Sequence, residues 1–420
     1  LWGAYIYIAG GCTAVNGSGY CTAISSDTQL ASINADGTIS EWNTILNLQN
    51  TRIGYSFIAW QGGLYRLGGC TAQDASTGAC VATLADVDFG VINPDGEAST
   101  VATSSAANSG TCSGSAPYNC DLPSQTGGSV GDVLNSAAVM NGYLYIMGGC
   151  TNNACGTVSA GVVYASIASD GSLAKPASCG GTYVTNSAFC ASSNSLPSAR
   201  GSAATAIFNG RIYLTGGWPS INTVVYASVA SDGSVGTWTS QNMTGGTNIG
   251  ATNVSYAFTY ARASPSTAST YPGNFYIFGG CTSVTTVSCT SQTQNVYKCY
   301  IKTDGSIETT GSPCTTTGQL VIGTVNNVDP ITLAVTNGSG TGLGAHSGAV
   351  YANYIYLLGG LGGGLLDITT VRYAKFDDSN NVVHPDTGLS SGSFKEDQTH
   401  VMLVGRRRGS AFGYNGYLYV

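Results

Sequence analysis

Cysteine is the residue type here with the most chemistry to offer. Fourteen cysteines fall in seven close couples: Cys12/Cys21, Cys70/Cys80, Cys112/Cys120, Cys150/Cys155, Cys179/Cys190, Cys281/Cys289 and Cys299/Cys314. Zinc would want CxxC-like knuckles, often with histidine. Neither the spacing nor the three scattered histidines (His346, His384, His400) supplies them. An even count in local couples is what disulfides leave behind in an oxidising compartment. Each couple is expected to pair with its neighbour, although spacing alone leaves other connectivities open. Closing a loop of about ten residues contributes roughly 2–3 kcal/mol, so the loops are stiffened one by one.

The other chemistries find no constellation. Asp36, Asp95, Asp170, Asp232 and Asp304 each precede a glycine and read as turn formers. The remaining acids, Asp121, Asp132, Asp329, Asp367, Asp377, Asp378, Glu396 and Asp397, show no pairing suited to glycosidic chemistry. No GxSxG elbow on a strand-to-helix turn marks a serine hydrolase. Asp377-Asp378 with Asn380-Asn381 clusters oxygen ligands but lacks the twelve-residue calcium loop, and reads as an Asx-rich turn. No catalytic, cofactor-binding or metal-binding residues are therefore assigned, and no cofactor is expected. Asn16-Gly17-Ser18, Asn242-Met243-Thr244, Asn253-Val254-Ser255 and Asn337-Gly338-Ser339 match the N-glycosylation pattern and fit an extracellular setting.

Composition narrows the partners. Charged residues are 8% of the 420, against roughly 25% in ordinary soluble domains, so hydroxyls and amides must wet the surface. With net charge −7 and only 14 Lys and Arg, the field that holds a phosphate backbone is missing, and nucleic acid is excluded as a partner. The basic run Arg406-Arg407-Arg408 reads as a solvated strand edge. No run of some 18 apolar residues exists to span a bilayer. The sequence starts at Leu1 and stops inside the strand-like run Tyr417–Val420, which suggests a piece cut from a longer chain.

What must position these residues is a repeat. An apolar run ending in two glycines returns six times, at Gly10-Gly11, Gly68-Gly69, Gly148-Gly149, Gly216-Gly217, Gly279-Gly280 and Gly359-Gly360, and four of the six are followed at once by cysteine. The unit is about 60 to 80 residues, too long for a solenoid turn and suited to a propeller blade. Within a unit, a small-residue strand (Ile53–Trp60, Ser136–Met140, Gly201–Phe208, Val254–Tyr260, His346–Tyr351, Gly409–Tyr414) leads through a tight turn such as Asn141-Gly142 or Asn209-Gly210 into the aromatic run. A Val- and Tyr-rich strand follows, as in VVYASIASDG (162–171), turns at Asp-Gly, and gives way to a weak outer strand such as TISEW (38–42). Radial repetition of such four-stranded sheets buries both faces of each. The glycine pairs read as packing devices, allowing positive φ and close approach of the next sheet.

The pattern resembles the kelch family of β-propellers. Matching features are the Gly-Gly runs, the downstream Tyr164, Tyr226, Tyr297 and Tyr373, the later Trp42 and Trp238, and an arginine (Arg52, Arg200, Arg408) opening the next first strand. Trp is missing from most units, the third and fourth strands share a longer Asp-Gly hairpin, and cysteine after Gly-Gly is no general kelch feature. The resemblance implies an all-β propeller of four-stranded antiparallel blades over 1–420. Seven blades are expected from counting Tyr417–Val420 as a seventh aromatic strand, with six as the alternative, in which Gly409–Tyr414 completes the N-terminal blade. Residues 319–342 read as an insertion. Some kelch-like propellers are copper oxidases, but the histidine spacing here is not ligand-like.

Strand parity sends the tight turns to one face. The long loops Thr71–Ala79, Ser104–Gly131, Ser178–Ser195 and Thr282–Gln292, with nearly all the cysteine couples, go to the other, where binding is expected. The reading that results is a non-catalytic extracellular or cell-surface module for adhesion or assembly, with a protein or glycan partner on the long-loop face or self-association. The alternatives are a structural subunit of an extracellular filament or coat, and a secreted carbohydrate-active or copper-dependent sugar or alcohol oxidase.

Overall fold

The structure, a computed structural model, describes residues 4–16, 20–47, 50–98, 102–103, 120–123, 133–153, 155–185, 187–219, 221–242, 257–265, 270–285, 288–293, 295–308, 314–319, 346–360, 369–390, 394–397, 399–403, 405–406 and 410–415. It is all-β, with no helix among these residues. The apolar aromatic runs form strands buried on both sides: Leu144, Tyr145, Ile146 and Met147 are each 0% exposed, which is why they do not alternate as a half-solvated strand does.

Six antiparallel sheets repeat one order, and each is named here by its place along the chain. The second is Ser56–Trp60, Gly63–Gln73, Cys80–Val91 and Ala102–Thr103; the fourth is Ala204–Phe208, Arg211–Thr215, Thr223–Ser228 and Thr239–Asn242. The fifth is Phe258–Ala263, Gly273–Phe278, Asn295–Ile301 and Cys314–Gln319. The sixth begins Ser347–Tyr351, Tyr354–Leu358 and Val371–Phe376, with Val382–Val383 and Lys395–Asp397 both pairing the third strand. The third, Ser136–Met140, Tyr143–Met147 and Val162–Ile167, is widened by the hairpin Gly181–Tyr183 and Cys190–Ser192. The first sheet joins distant segments: Ser410–Asn415 pairs with Ala4–Ala9, followed by Asp27–Ile33 and Asn43–Asn47.

That pairing is the arrangement of the six-fold alternative. Tyr417–Val420, on which the seventh unit rests, lies outside the described residues, as does the expected insertion apart from Gln319, which ends a strand. First strands adjoin in the order Ser410–Asn415, Ser56–Trp60, Ser136–Met140, Ala204–Phe208, Phe258–Ala263 and Ser347–Tyr351, and the last adjoins the first.

Two sets of contacts join successive sheets. On the tight-turn face, a second-strand tyrosine hydroxyl donates to a turn carbonyl of the following sheet: Tyr7 to Gly96 at 2.7 Å, Tyr65 to Gly171 at 2.5 Å and Tyr145 to Gly233 at 2.9 Å. Tyr213 to Gly305 at 2.8 Å, Tyr276 to Asn380 at 2.7 Å and Tyr356 to Gly37 at 2.8 Å bring the series back to the first sheet. The turn glycine is needed twice over. Gly233 has φ +84°, and a Cβ there would lie 2.6 Å from the Tyr143 ring. In the sixth sheet Asn380 takes the left-handed conformation (φ 59°) instead, as asparagine tolerates.

Between sheet bodies, apolar clusters fill the joins from second to third, third to fourth, fourth to fifth, fifth to sixth and sixth to first. The join of first to second differs and carries buried ions, described below.

A tyrosine-to-phenylalanine change leaves one buried carbonyl unpaired, so Tyr145→Phe is expected to lower unfolding stability by about 1 kcal/mol. Gly233→Ala combines positive φ with an overlap and is expected to cost at least about 2 kcal/mol. Urea midpoints at constant m-value test both; equal, negligible losses would refute the role given to these contacts.

Candidate functional site

The glycine pairs lie at the face opposite the tyrosine bonds, and all twelve glycines have positive φ. Their surroundings show why. Gly11 N donates to Arg52 O at 2.9 Å, Gly149 N to Arg200 O at 2.8 Å and Gly360 N to Arg406 O at 2.8 Å, each arginine belonging to the following sheet. A Cβ on Gly10 would stand 2.8 Å from Arg52 O. The same arginines turn their guanidinium groups onto their own sheet's first glycine: Arg52 Nη1 to Gly68 O at 2.8 Å, Arg200 Nη1 to Gly216 O at 3.1 Å and Arg406 Nη1 to Gly10 O at 2.9 Å. Each arginine thereby ties two neighbouring glycine pairs.

The third member of this set corrects the sequence reading in two ways. It is Arg406, not Arg408, and it is 1% exposed rather than part of a solvated edge. Arg52, Arg200 and Arg406 each stand four residues before a first strand. Matching RGS at 200–202 with RGS at 408–410 slips that register by two.

Acids missed in the sequence partner two of these arginines, Arg52 and Arg406. Arg52 meets Asp86 at 2.6 Å and Asp88 at 2.9 Å, and Arg66 pairs with Asp88. All four residues are buried, and burial, with Arg52 nearby, pulls the Arg66 guanidinium down to about 9. Tyr65 and Leu67 pack toward the third sheet, so strand alternation points Arg66 toward the first. There the Tyr55 hydroxyl, pushed up to about 12 by burial, donates to Ala9 O. Arg406 holds Asp27 at 2.9 Å. Burial opposes that shift, but Arg406 and the Ser25 and Gln29 hydrogen bonds together hold the Asp27 carboxyl below the usual range.

Outside this layer, five disulfides are described: Cys12–Cys21, Cys70–Cys80, Cys150–Cys155, Cys179–Cys190 and Cys299–Cys314. Cys120 and Cys281 are also disulfide-bonded, whereas Cys112 and the Cys289 side chain lie outside the described residues. The first three disulfides pack together with Ile53, Val133, Leu134 and, from the fourth sheet, Trp218, which stands where four of the other units carry cysteine. Their loops are bonded from sheet to sheet: Asn16 Nδ2 to Ala75 O at 2.6 Å, Cys21 N to Gln73 Oε1 at 3.1 Å, Cys80 N to Asn153 O at 2.8 Å and Trp218 Nε1 to Cys155 O at 3.1 Å. The result is a cap over four sheets, with Val81 56% exposed on it. A cleft between Gln73, Asn152, Asn153 and the two disulfides 70–80 and 150–155 encloses about 20 Å3, room for one water rather than a sugar ring.

Two couples lie outside the cap. Cys299 and Cys314 face each other across the third and fourth strands of the fifth sheet. Cys179–Cys190 pins the hairpin widening the third sheet, where Cys190 pairs with Tyr164. Ser178–Ser195 is thus an edge extension and not a cap loop, and most of Ser104–Gly131 lies outside the described residues. Thr71–Ala79 joins the cap through Gln73 and Ala75.

The histidines and acids take separate roles. His384 Nδ1 accepts from Asp386 N at 3.2 Å, and His400 pairs with Asp397 at 3.1 Å. His346 is buried, and neither ring nitrogen has a partner in hydrogen-bond geometry. Burial and then Arg372 push it down to about 3, the Phe278 backbone pulling weakly the other way. Asp36, Asp170, Asp232 and Asp304 each accept from the backbone and hydroxyl two residues on, and Asp95 accepts from Glu97 N. Asp377 Oδ1 accepts from Ser379 N and Asn381 N, with the Lys298 ammonium on Ser379 O and Asn381 Oδ1, so this cluster is a turn with its cation already supplied. Among the described residues, no group of three or more His, Cys, Asp or Glu could hold a metal.

No family model matches the chain, and no curated protein is similar to it. Among solved structures, one titled "Structure of YjhT" matches with a TM-score of 0.51 and 12% identity over 91% of this chain and 95% of that one. At that identity the likeness is one of all-β fold.

Arg52→Ala strands the buried Asp86 carboxylate and leaves Asp88 with Arg66 alone, and a loss of about 3–5 kcal/mol is expected. Adding Asp86→Asn, which leaves the Arg66–Asp88 pair in place, should recover part of it in urea unfolding. His346 binds its proton more weakly folded than unfolded, so between pH 6.5 and about 3 the unfolded state holds more protons. Stability should therefore fall as pH drops through that window, by up to about 1.4 kcal/mol per pH unit. Asp27, depressed below 3.8, adds a further loss at the acid end. A pH series of thermal midpoints in which His346→Gln is as steep as the wild type would sink the assignment.

Proposed function

We propose that this chain is a single six-bladed, kelch-like β-propeller over 1–420, acting outside the cell as a non-catalytic adhesion or assembly module. The cyclic series of tyrosine bonds and adjoining first strands supports the blade count. The disulfides support an oxidising compartment, and no helix of the described residues is long and apolar enough to cross a membrane.

The observation that carries the functional reading is the cap. Chain segments that only connect strands need neither pairwise disulfides nor hydrogen bonds to the next loop. Here three disulfides and the loop-to-loop bonds hold four sheets' worth of loops in one arrangement, and ordering a surface in advance lowers the entropy lost when a partner binds. A protein or glycan surface is the class of partner, because what the cap presents is an extended arrangement of loops ordered in advance.

Glycan and protein arrays probed with the intact chain test this. Binding is expected, and Gln73→Ala with Asn153→Ala should weaken it at least about tenfold with little change in thermal midpoint. A chain that binds neither class but turns over a sugar or an alcohol is an enzyme, and the reading is then wrong.

A further inference from the structure

At the join of the fifth and sixth sheets two residues depart from the repeat, and they meet. Opposite the bonding tyrosine, the third strand carries Leu30, Phe89, Tyr164, Tyr226 or Tyr373 in five sheets, but Lys298 in the fifth. In the tight turns, the residue closing the backbone ring is Thr38, Glu97, Ser172, Ser234 or Ser306 elsewhere and Asn381 in the sixth. Lys298 crosses the join, and its Nζ donates to Asn381 Oδ1 at 3.1 Å and to Ser379 O at 2.7 Å. Of the five lysines in the chain it alone is buried, at 6% exposed.

We propose that Lys298 and Asn381 form an isopeptide bond, a covalent tie between the fifth and sixth sheets, with Asp377 as the proton carrier. An Asp377 carboxylate oxygen accepts from Asn381 Nδ2 at 3.2 Å, so nucleophile, carbonyl and acid–base group are assembled in one place. A neutral Lys298 Nζ adds to Asn381 Cγ, and the carbonyl electron pair moves onto Oδ1. Asp377 takes a proton from Nζ and delivers it to Nδ2, which leaves as ammonia as the carbonyl re-forms. The Nζ–Cγ bond replaces the Nδ2–Cγ bond, so neither oxidant nor cofactor is consumed. With a carbonyl bond of about 1.23 Å, the 3.1 Å contact puts Nζ no more than about 4.3 Å from Cγ. A shift of about 1 Å brings it to attacking distance.

The surroundings suit the reaction. Burial draws the Lys298 ammonium below its ordinary value, with Asp377 opposing, and so enlarges the neutral fraction that can attack. The geometry is held from both sides. Tyr276, opposite Lys298 in register, bonds to Asn380 O at 2.7 Å, Asn380 Nδ2 donates to Ala263 O at 2.8 Å, and Thr317 Oγ1 accepts from Val382 N at 3.1 Å. The disulfide Cys299–Cys314 fixes the strand beside Lys298. Such ordering in advance is what lets an intramolecular attack replace a slow encounter. The bond closes the chain from 298 to 381, a far longer loop than any disulfide described, and stabilisation by a cross-link grows with the length it closes. This inference does not depend on the adhesion reading, and the array experiment is untouched by its failure.

The test is mass spectrometry of the full chain, reduced and unfolded after incubation in its folded state at mildly alkaline pH. The expected result is an intact mass short by one ammonia and a branched peptide joining residues 298 and 381. Lys298→Arg keeps a cation at the site and should show neither. Asp377→Asn keeps the turn's acceptor but cannot carry the proton, and should slow branching at least about tenfold. The branched wild type should melt about 5 °C or more above Lys298→Arg. Only unbranched peptides after prolonged incubation overturn the proposal. So does loss of ammonia without the branch, as ring closure at Asn141-Gly142 or Asn209-Gly210 would give. Branching at the wild-type rate in Asp377→Asn overturns the role given to Asp377. The wild-type map decides the bond itself even where a variant fails to fold.

Discussion

A tyrosine hydroxyl reaching the carbonyl of a turn in the next sheet is the contact on which the rest of the structure depends. It fixes three features of sequence at once. The tyrosine must sit on a strand buried on both sides, so that strand is apolar throughout. The turn must offer an outward carbonyl, which its left-handed residue provides. Finally, that residue must lack a Cβ wherever the preceding second-strand ring lies over it, as Tyr5 does over Gly96 and Tyr143 over Gly233. A single hydrogen bond of this kind contributes only about 1 kcal/mol. Repeated at every join it defines the spacing of the sheets, because each tyrosine is held by its own strand register and cannot slide without losing both ring packing and bond.

At the opposite face the same problem is solved with arginine. A guanidinium offers five donors in a fixed fork, so one side chain can satisfy a glycine carbonyl and still bind an acid, as Arg406 does with Gly10 and Asp27. Arg200 manages without an acid, using Ser198 and Thr223, and burial draws its guanidinium down to about 10. Between the first and second sheets the arrangement goes further, with two arginines and two aspartates buried at the level where the other joins carry hydrocarbon. Such a network contributes less stability than packed side chains of equal volume. It does distinguish that join from the rest, which matters in a molecule whose sheets are otherwise similar enough to be mistaken for one another.

Much of this was legible because it repeats. The glycine pairs, the Asp-Gly turns and the aromatic runs occur six or nearly six times, and repetition separates a structural requirement from chance. The Arg-Asp contacts were not, because Asp86, Asp88 and Asp27 occur once each and lie 34, 36 and 379 positions from their partners. Arg406 was misjudged because local identity, RGS against RGS, outweighed the strand register that decides which residue turns inward. Trp42 and Trp238 were noticed as family marks, yet their work shows only in space: each indole donates to a carbonyl of the preceding sheet's loop, His400 O and Asn194 O, both at 3.1 Å. The Cys179/Cys190 couple was read as part of a long loop because couples at 9, 10, 11 and 15 residues look alike in sequence, whether they close a loop or pin a strand pair.

The two faces therefore differ in what they permit. On the tyrosine face the connecting chain is itself part of the joint: lengthening the turn at Gly96 or Gly305 moves the carbonyl that the neighbour needs. On the cysteine face the joint is made by arginine and glycine one layer further in, and the loops beyond it are free to change length and content so long as something holds them. A disulfide does that without demanding any particular residue between its ends. It constrains mainly the unfolded chain, and so it stabilises a loop whose own contacts are few. Trp218 shows that the position after the glycines needs cover rather than sulfur, since its indole fills the site and bonds to Cys155 O. A surface built this way can change its partner while the sheets beneath stay fixed. That is the physical reason to seek recognition there and not at the turns.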